Sequence, residues 1–255
     1  MLFNSFVEKI FLLRHDQVVF PPDHHLAEQK INGIILGQMN YPIINSKNQF
    51  NAQRYDFLAQ SITAKTDSLD NIFFIGSDLL RVKQTFSHLT AKLMQYKPSG
   101  TPPPCLILDK NFREQHFGNW QGLTYNQIEK NNKSAYDQFW QDCINHAPPP
   151  DKHHLSESFF NLYQRSTKSL IKLLKTRHEK TLTLIAHDGV LRAILAFFYH
   201  LNDNHLSIKD SLNKSLTHQL PYLSFITIDL PPNYHIAISK KIDYKNQAKP
   251  VIKII

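Results

Sequence analysis

The sequence predicts an α/β fold: a three-layer sandwich with a mostly parallel central sheet, helices on both faces and a lid-like insertion. Three observations predict it. Apolar runs of strand length recur at residues 10–13, 72–75, 105–108, 182–186 and 223–230. Longer segments with helical periodicity lie between them, the alternation expected of a parallel sheet covered on both sides. A polar, aromatic-rich stretch at 109–155 follows neither pattern.

In chain order, the first run, Ile10-Phe11-Leu12-Leu13, leads straight into Arg14-His15. A buried strand that delivers polar side chains at its C-terminal tip is how open α/β sheets build sites. Residues 48–64 then space Phe50, Tyr55, Phe57, Leu58 and Ile62 along one helix face. The run at 72–75 enters Gly76-Ser77-Asp78, where Ser77-Asp78 reads as an N-terminal cap. The helix it caps spans 78–95 and turns Leu79, Val82, Phe86, Leu89, Leu93 and Met94 inward. After the run at 105–108, the stretch 109–155 ends in Pro148-Pro149-Pro150-Asp151. It is expected to leave the sheet, partly helical, as a lid over the strand ends. Ser156-Glu157 reads as the cap of a helix at 157–176 carrying Leu162, Leu170, Leu173 and Leu174. The run Leu182–Ala186 ends in a second strand-tip histidine, His187, and residues 189–200 read as a strongly buried helix. A single domain over 1–255 is expected, because a separate unit at 109–155 would need a core of its own.

Composition excludes several classes. With 255 residues, 42% of them hydrophobic and 20% charged, the chain is ordinary for a soluble globular protein and can bury roughly three quarters of its unfolded surface. Cys105 and Cys143 lack metal-ligand spacing and read as reduced thiols. Fourteen histidines invite a metal, but His24-His25 and His153-His154 sit in polar, proline-flanked segments without a partnering motif. They read as exposed structural residues, and neither metal nor cofactor is expected. The net charge of +8 is spread over scattered lysines, with no basic block for nucleic acid. It fits a solvated surface with modest attraction for a small anionic substrate. The first apolar run is too short for a leader, and Ala193–Tyr199 is too short to span a bilayer. A cytoplasmic protein without membrane contact is expected; the oligomeric state is left open.

The chemistry concentrates in four segments. Arg14-His15 offers a cation beside a nitrogen nucleophile, a pair suited to a phosphoryl group. Arg81 stands in the first turn of a helix, where backbone N–H groups already favour anions. Glu114 lies among aromatic residues that would desolvate it and raise its pKa, as a general acid at neutral pH requires. His187 opens Asp188-Gly189-Val190-Leu191-Arg192.

Together these segments resemble the histidine phosphatase superfamily, the phosphoglycerate mutase-like proteins. The resemblance runs through Arg14-His15, through Ser77-Asp78-Leu79 with Arg81, Gln84 and Thr85, through Glu114 with Gly118, Trp120 and Gly122, and through His187, Gly189 and Arg192. Weaker likenesses lie at Leu36-Gly37-Gln38, Ile44-Asn45 with Asn51-Ala52, and Ser156-Glu157-Ser158. It covers about residues 10 to 200 in order. It implies that His15 attacks phosphorus to form a phosphohistidine, and that Arg14, Arg81 and His187 hold the phosphoryl oxygens. It further implies that Glu114 protonates the leaving oxygen and later activates water.

The sequence departs from the family pattern at Asp16 and Asp188, where small residues are usual, and at Val18, Pro21 and Gln121. Carboxylates facing a phosphoryl dianion would repel it by about 1 kcal/mol or more each. Turned away, they would orient His15 or His187 by accepting N–H bonds. The first reading is a metal-independent phosphomonoesterase for a small phosphorylated metabolite, favoured by His187-Asp188-Gly189-Val190. A phosphoglycerate mutase is the second, since Glu114-Gln115-His116-Phe117-Gly118 resembles that branch. A catalytically weak or inactive phosphate-binding module is the third, motivated by the departures.

Overall fold

A computed structural model describes residues 2–4, 6–20, 33–44, 49–66, 68–96, 100, 102–203, 205–231, 235–237 and 249–254. Pro21, His24-His25, Asn45 and the side chain of Phe50, all invoked above, lie outside the described residues.

The strands are β1 (Leu2–Asn4), β2 (Lys9–Arg14), β3 (Ile72–Gly76), β4 (Leu106–Leu108), β5 (Thr181–Ala186), β6 (Phe225–Asp229), β7 (His235–Ala237) and β8 (Val251–Ile254). The helices are α1 (Gln49–Thr63), α2 (Leu80–Leu93), α3 (Tyr125–Asn131), α4 (Lys133–Gln141), α5 (Phe159–Thr176), α6 (Asp188–Asn202) and α7 (Ile208–Leu216). Six strands form the central sheet in the order β4-β3-β5-β2-β6-β8, and β1 pairs with β7 in a separate ribbon. β4, β3, β5 and β2 run parallel, β6 runs antiparallel to β2, and β8 pairs antiparallel to β6. The mostly parallel sheet expected from the sequence is therefore what forms.

The layers follow from side-chain alternation along β2. Ile10 and Leu12 face one side, in a core with Leu162, Leu170, Leu191 and Ile194 of α5 and α6. Phe11 and Leu13 face the other, against Tyr55, Leu58 and Ile62 of α1 and Val82, Leu89 and Leu93 of α2. All four β2 side chains are fully buried, worth about 1.5–3 kcal/mol each. Continuous burial on both faces explains why strands such as β2 and β5 read as unbroken apolar runs. Within the insertion, Trp120, Ile128 and Phe139 pack with Ile35 into a small cluster.

Local details correct the sequence reading. α2 starts at Leu80 with Leu79 as an N-cap that makes no side-chain bond, because Ser77 is drawn to His187. α5 is capped by Ser158, not Ser156-Glu157: Ser158 accepts from Asn161 N while the Asn161 side chain accepts from the cap, a complete capping box. Phe57 is exposed and lies under the Arg54 guanidinium, so it does not share the buried face of α1. The structure adds β1, β7, β8 and α7 to the elements expected from the sequence. His153 and His154 are exposed, as expected. Among the described residues no helix is long and apolar enough to cross a membrane.

Candidate active site

Strand register brings the two histidines together. β2 and β5 run parallel with Arg14 opposite Ala186, so each strand's next residue leaves the sheet at the same edge. The His15 backbone N–H donates to Ala186 O at 3.0 Å, and the two imidazole centroids lie 5.0 Å apart. His15 Nδ1 lies 2.7 Å from the Asp16 carbonyl oxygen. A carbonyl only accepts, so Nδ1 carries the proton and Nε2 keeps its lone pair. Burial, followed by the charges of Arg81 and Arg14, holds His15 well below the usual histidine range. It is a neutral imidazole with a lone pair on Nε2.

His187 caps the N-terminus of α6 and is fully buried. Its Nδ1 accepts from Arg81 Nε at 3.2 Å, and its Nε2 lies 2.7 Å from Ser77 Oγ. Arginine cannot accept, so His187 carries its proton on Nε2 and donates to Ser77. Arg81 is itself buried and also donates to Met39 O at 2.5 Å and Gly37 O at 2.7 Å. Burial lowers its pKa to about 10, which leaves it a cation at neutral pH. Arg14 stacks on the Tyr222 ring, 4.3 Å from its centroid, and donates to Leu220 O. Its buried Nε has no hydrogen-bond partner among the described residues, a donor that a phosphoryl oxygen would satisfy.

Glu114 approaches from the loop after the single turn Lys110–Phe112. Its carboxylate accepts from Gln115 N at 2.8 Å and from Gly189 N, at the start of α6, at 3.3 Å. Burial and then the charge of Asp188 push its pKa up, against those two N–H bonds and Arg81. The direction of the shift is the one a general acid needs. The expected aromatic setting is corrected in part: Trp120 turns into the insertion's own cluster, 5.2 Å from Phe139. Arg113 does not pair with Glu114. It makes a two-pronged ion pair with Asp78 at 2.5 and 2.6 Å. Arg165 steadies the loop instead, donating to Glu114 O at 2.9 Å while gripping Glu157 at 2.6 and 2.8 Å.

The departures resolve into specific contacts. The Asp16 carboxylate turns away from the imidazoles toward Asn51 and Tyr55; its carbonyl, not its carboxylate, orients His15. Asp188 pairs with Arg192 at 2.7 Å and stands 3.9 Å from Arg14, and it does not bond His187. Val18 bridges to Ile43, and Gln121 accepts from Gln38 N at 2.6 Å. Sequence reasoning missed Tyr222, 5.7 Å from the His15 ring; it precedes β6, and only the β2–β6 pairing brings it there. Among the described residues, no group of three or more His, Cys, Asp or Glu side chains is placed to hold a metal ion.

Comparison with known proteins shows what the chain is similar to. A relative, phosphoglycerate mutase-like protein 4 of Arabidopsis thaliana, is 25% identical over 186 residues, 73% of this chain and 69% of that protein. A mycobacterial glucosyl-3-phosphoglycerate phosphatase is similar in fold, with TM-score 0.61 and 20% identity over 87% of this chain and 89% of its own. An Entamoeba histolytica phosphoserine phosphatase mutant, solved with phosphoserine, gives TM-score 0.57 and 18% identity over 91% and 95% of the two chains. The family model for the histidine phosphatase superfamily (branch 1) matches residues 24–219, a range that holds Arg81, Glu114 and His187 and starts after Arg14-His15. With that match across most of its length, the chain belongs to the histidine phosphatase superfamily, branch 1.

Proposed function

We propose that the protein is a metal-independent phosphomonoesterase that hydrolyses a small phosphorylated metabolite through a phosphohistidine. The observation that carries this reading is the neutral His15, its Nε2 lone pair set by the Asp16 carbonyl, beside Arg14, Arg81 and His187 and a protonation-prone Glu114. In the first step His15 Nε2 attacks phosphorus in line and the ester P–O bond breaks. The departing oxygen takes the Glu114 proton. In the second step water attacks phosphorus, giving its proton to the Glu114 carboxylate, and the P–N electron pair returns to Nε2. Charge on the phosphoryl oxygens is met by Arg14 and Arg81, the role metal ions fill elsewhere. The phosphatases among the structural neighbours support hydrolysis over transfer.

The test is turnover of p-nitrophenyl phosphate from acid to neutral pH, beside His15→Ala. Turnover that disappears in the variant and survives EDTA, with an acid-labile phosphoenzyme in quenched wild type, supports the reading. Equal, negligible rates from both proteins would overturn it. One observation favours a slow, phosphate-binding module as a second reading: His187 has both ring nitrogens engaged by the protein itself.

A further inference from the structure

We propose that Asp16 is a positioning residue, whose side chain ties helix α1 to the peptide that fixes the His15 ring. The proposal deepens the reading of His15 as nucleophile and rests on it. Asp16 is 1% exposed, and all its polar groups are engaged. Oδ1 accepts from Gln17 N at 2.7 Å and Asn51 Nδ2 at 3.1 Å. Oδ2 accepts from the same amide at 3.2 Å and from Tyr55 OH at 3.1 Å. The backbone N–H donates to Thr85 Oγ1 at 2.9 Å, and Thr85 in turn donates to Arg81 O at 2.7 Å. One side of the residue is thus held by α1 and the other by α2. What remains is the carbonyl, and it receives the His15 Nδ1 proton.

The consequence is geometric. A residue without a side chain at position 16 would keep the bond to Thr85 and lose every bond to α1. The carbonyl would then be free to tilt with the loop, and the imidazole would populate the other tautomer, whose Nε2 carries a proton and cannot attack. Burial and the neighbouring Asp16 charge both push the Tyr55 phenol upward, so it stays a donor throughout the working pH range. Asn51 and Tyr55 are buried; their contacts to Asp16 are made inside the fold, where a hydrogen bond to a carboxylate is strong.

The experiment combines kinetics with imidazole NMR on the full chain. In wild type, the long-range proton–nitrogen spectrum shows His15 with its proton on Nδ1. Asp16→Ala is expected to show mixed tautomers and a kcat lower by about 10–100-fold, the usual cost of misplacing a reacting group, with KM little changed. Asp16→Asn keeps one acceptor oxygen for Gln17 N and Asn51 Nδ2 and turns its NH2 to the Tyr55 hydroxyl oxygen, so the link to α1 survives and most of both signals is restored. Tyr55→Phe in the Asp16→Ala background adds no further kinetic loss, since both act through one link. An Asp16→Ala protein with the wild-type tautomer and kcat overturns the proposal, even if it melts earlier. If that variant fails to fold, Tyr55→Phe and Asn51→Ala singly must each lower kcat and loosen the tautomer; unchanged values in both overturn it. Should wild type and His15→Ala prove equally inactive, the functional reading falls, and the His15 tautomer in these variants still decides the role of Asp16.

Discussion

Gly189→Ala offers a sharp test of how the site is assembled. A Cβ at position 189 would lie 2.4 Å from Glu114 Oε1 and 2.9 Å from Leu162 Cδ2. Ordinary contact begins near 3.4 Å, so the carboxyl must retreat by 3.4 − 2.4 = 1.0 Å. It cannot retreat freely, because Gln115 N holds Oε1. Position 189 lies within α6, where alanine gains about 1 kcal/mol over glycine from helix propensity. Crowding Leu162 costs about 1–3 kcal/mol, the usual penalty for overpacking. The net change is a loss of about 0–2 kcal/mol, small enough for the domain to stay folded. Moving the proton donor by 1.0 Å costs far more in rate: a fall in kcat of about 100-fold is expected. Steady-state kinetics on p-nitrophenyl phosphate and on an alkyl phosphate, with a thermal melt of the same sample, measure both effects. A folded Gly189→Ala protein with wild-type kcat on both substrates would refute the placement of Glu114 as the acid.

Other expectations follow from the same geometry. Glu114 is held above its ordinary pKa, so it stays protonated further up the scale and turnover falls as pH rises through that value. Glu114→Gln abolishes this decline and slows alkyl phosphates more than p-nitrophenyl phosphate, whose leaving group needs less protonation. His15 and His187 are both depressed, so the folded protein binds fewer protons than the unfolded chain. Stability is complete above 6.5 and drains away as pH falls below it; the melting temperature of wild type relative to His15→Ala should therefore fall as the pH drops below that value. Gly118 has φ +55° and its Cβ would strike Pro149 O at 2.0 Å, so Gly118→Ala should cost about 1–3 kcal/mol in a denaturant titration. Arg165→Ala strips Glu157 of its ion-pair partner and Glu114 O of a donor, and should cost about 2 kcal/mol of stability together with part of kcat.

The strand tips were legible because an apolar run that stops at a polar pair marks the C-terminal edge of a sheet, and two such runs announced His15 and His187. Arg81 was legible from its place in the first turn of a helix and Glu114 from its aromatic neighbours in sequence, and the roles expected of both came with the resemblance to the histidine phosphatase pattern. Hydrogen-bond partners were not legible, since they depend on which neighbour arrives first. Ser77 reads as a cap until His187 claims its hydroxyl. Arg113 is next to Glu114 in sequence, yet Asp78, distant in sequence, takes both prongs of its guanidinium. Asp16 presents a carboxylate in the sequence and acts on His15 through its main chain. Tyr222 has no local signal, because its place is set by antiparallel pairing across the chain.

The closed hydrogen-bond circuit of His187 bears on product release. Its one proton is already spoken for by Ser77. Under the proposed hydrolysis, inorganic phosphate would have to win that proton in competition with a hydroxyl built into the fold, and its departure would restore the internal bond. On the proposed function, Ser77 would take the place of the leaving anion at His187 and so ease its exchange.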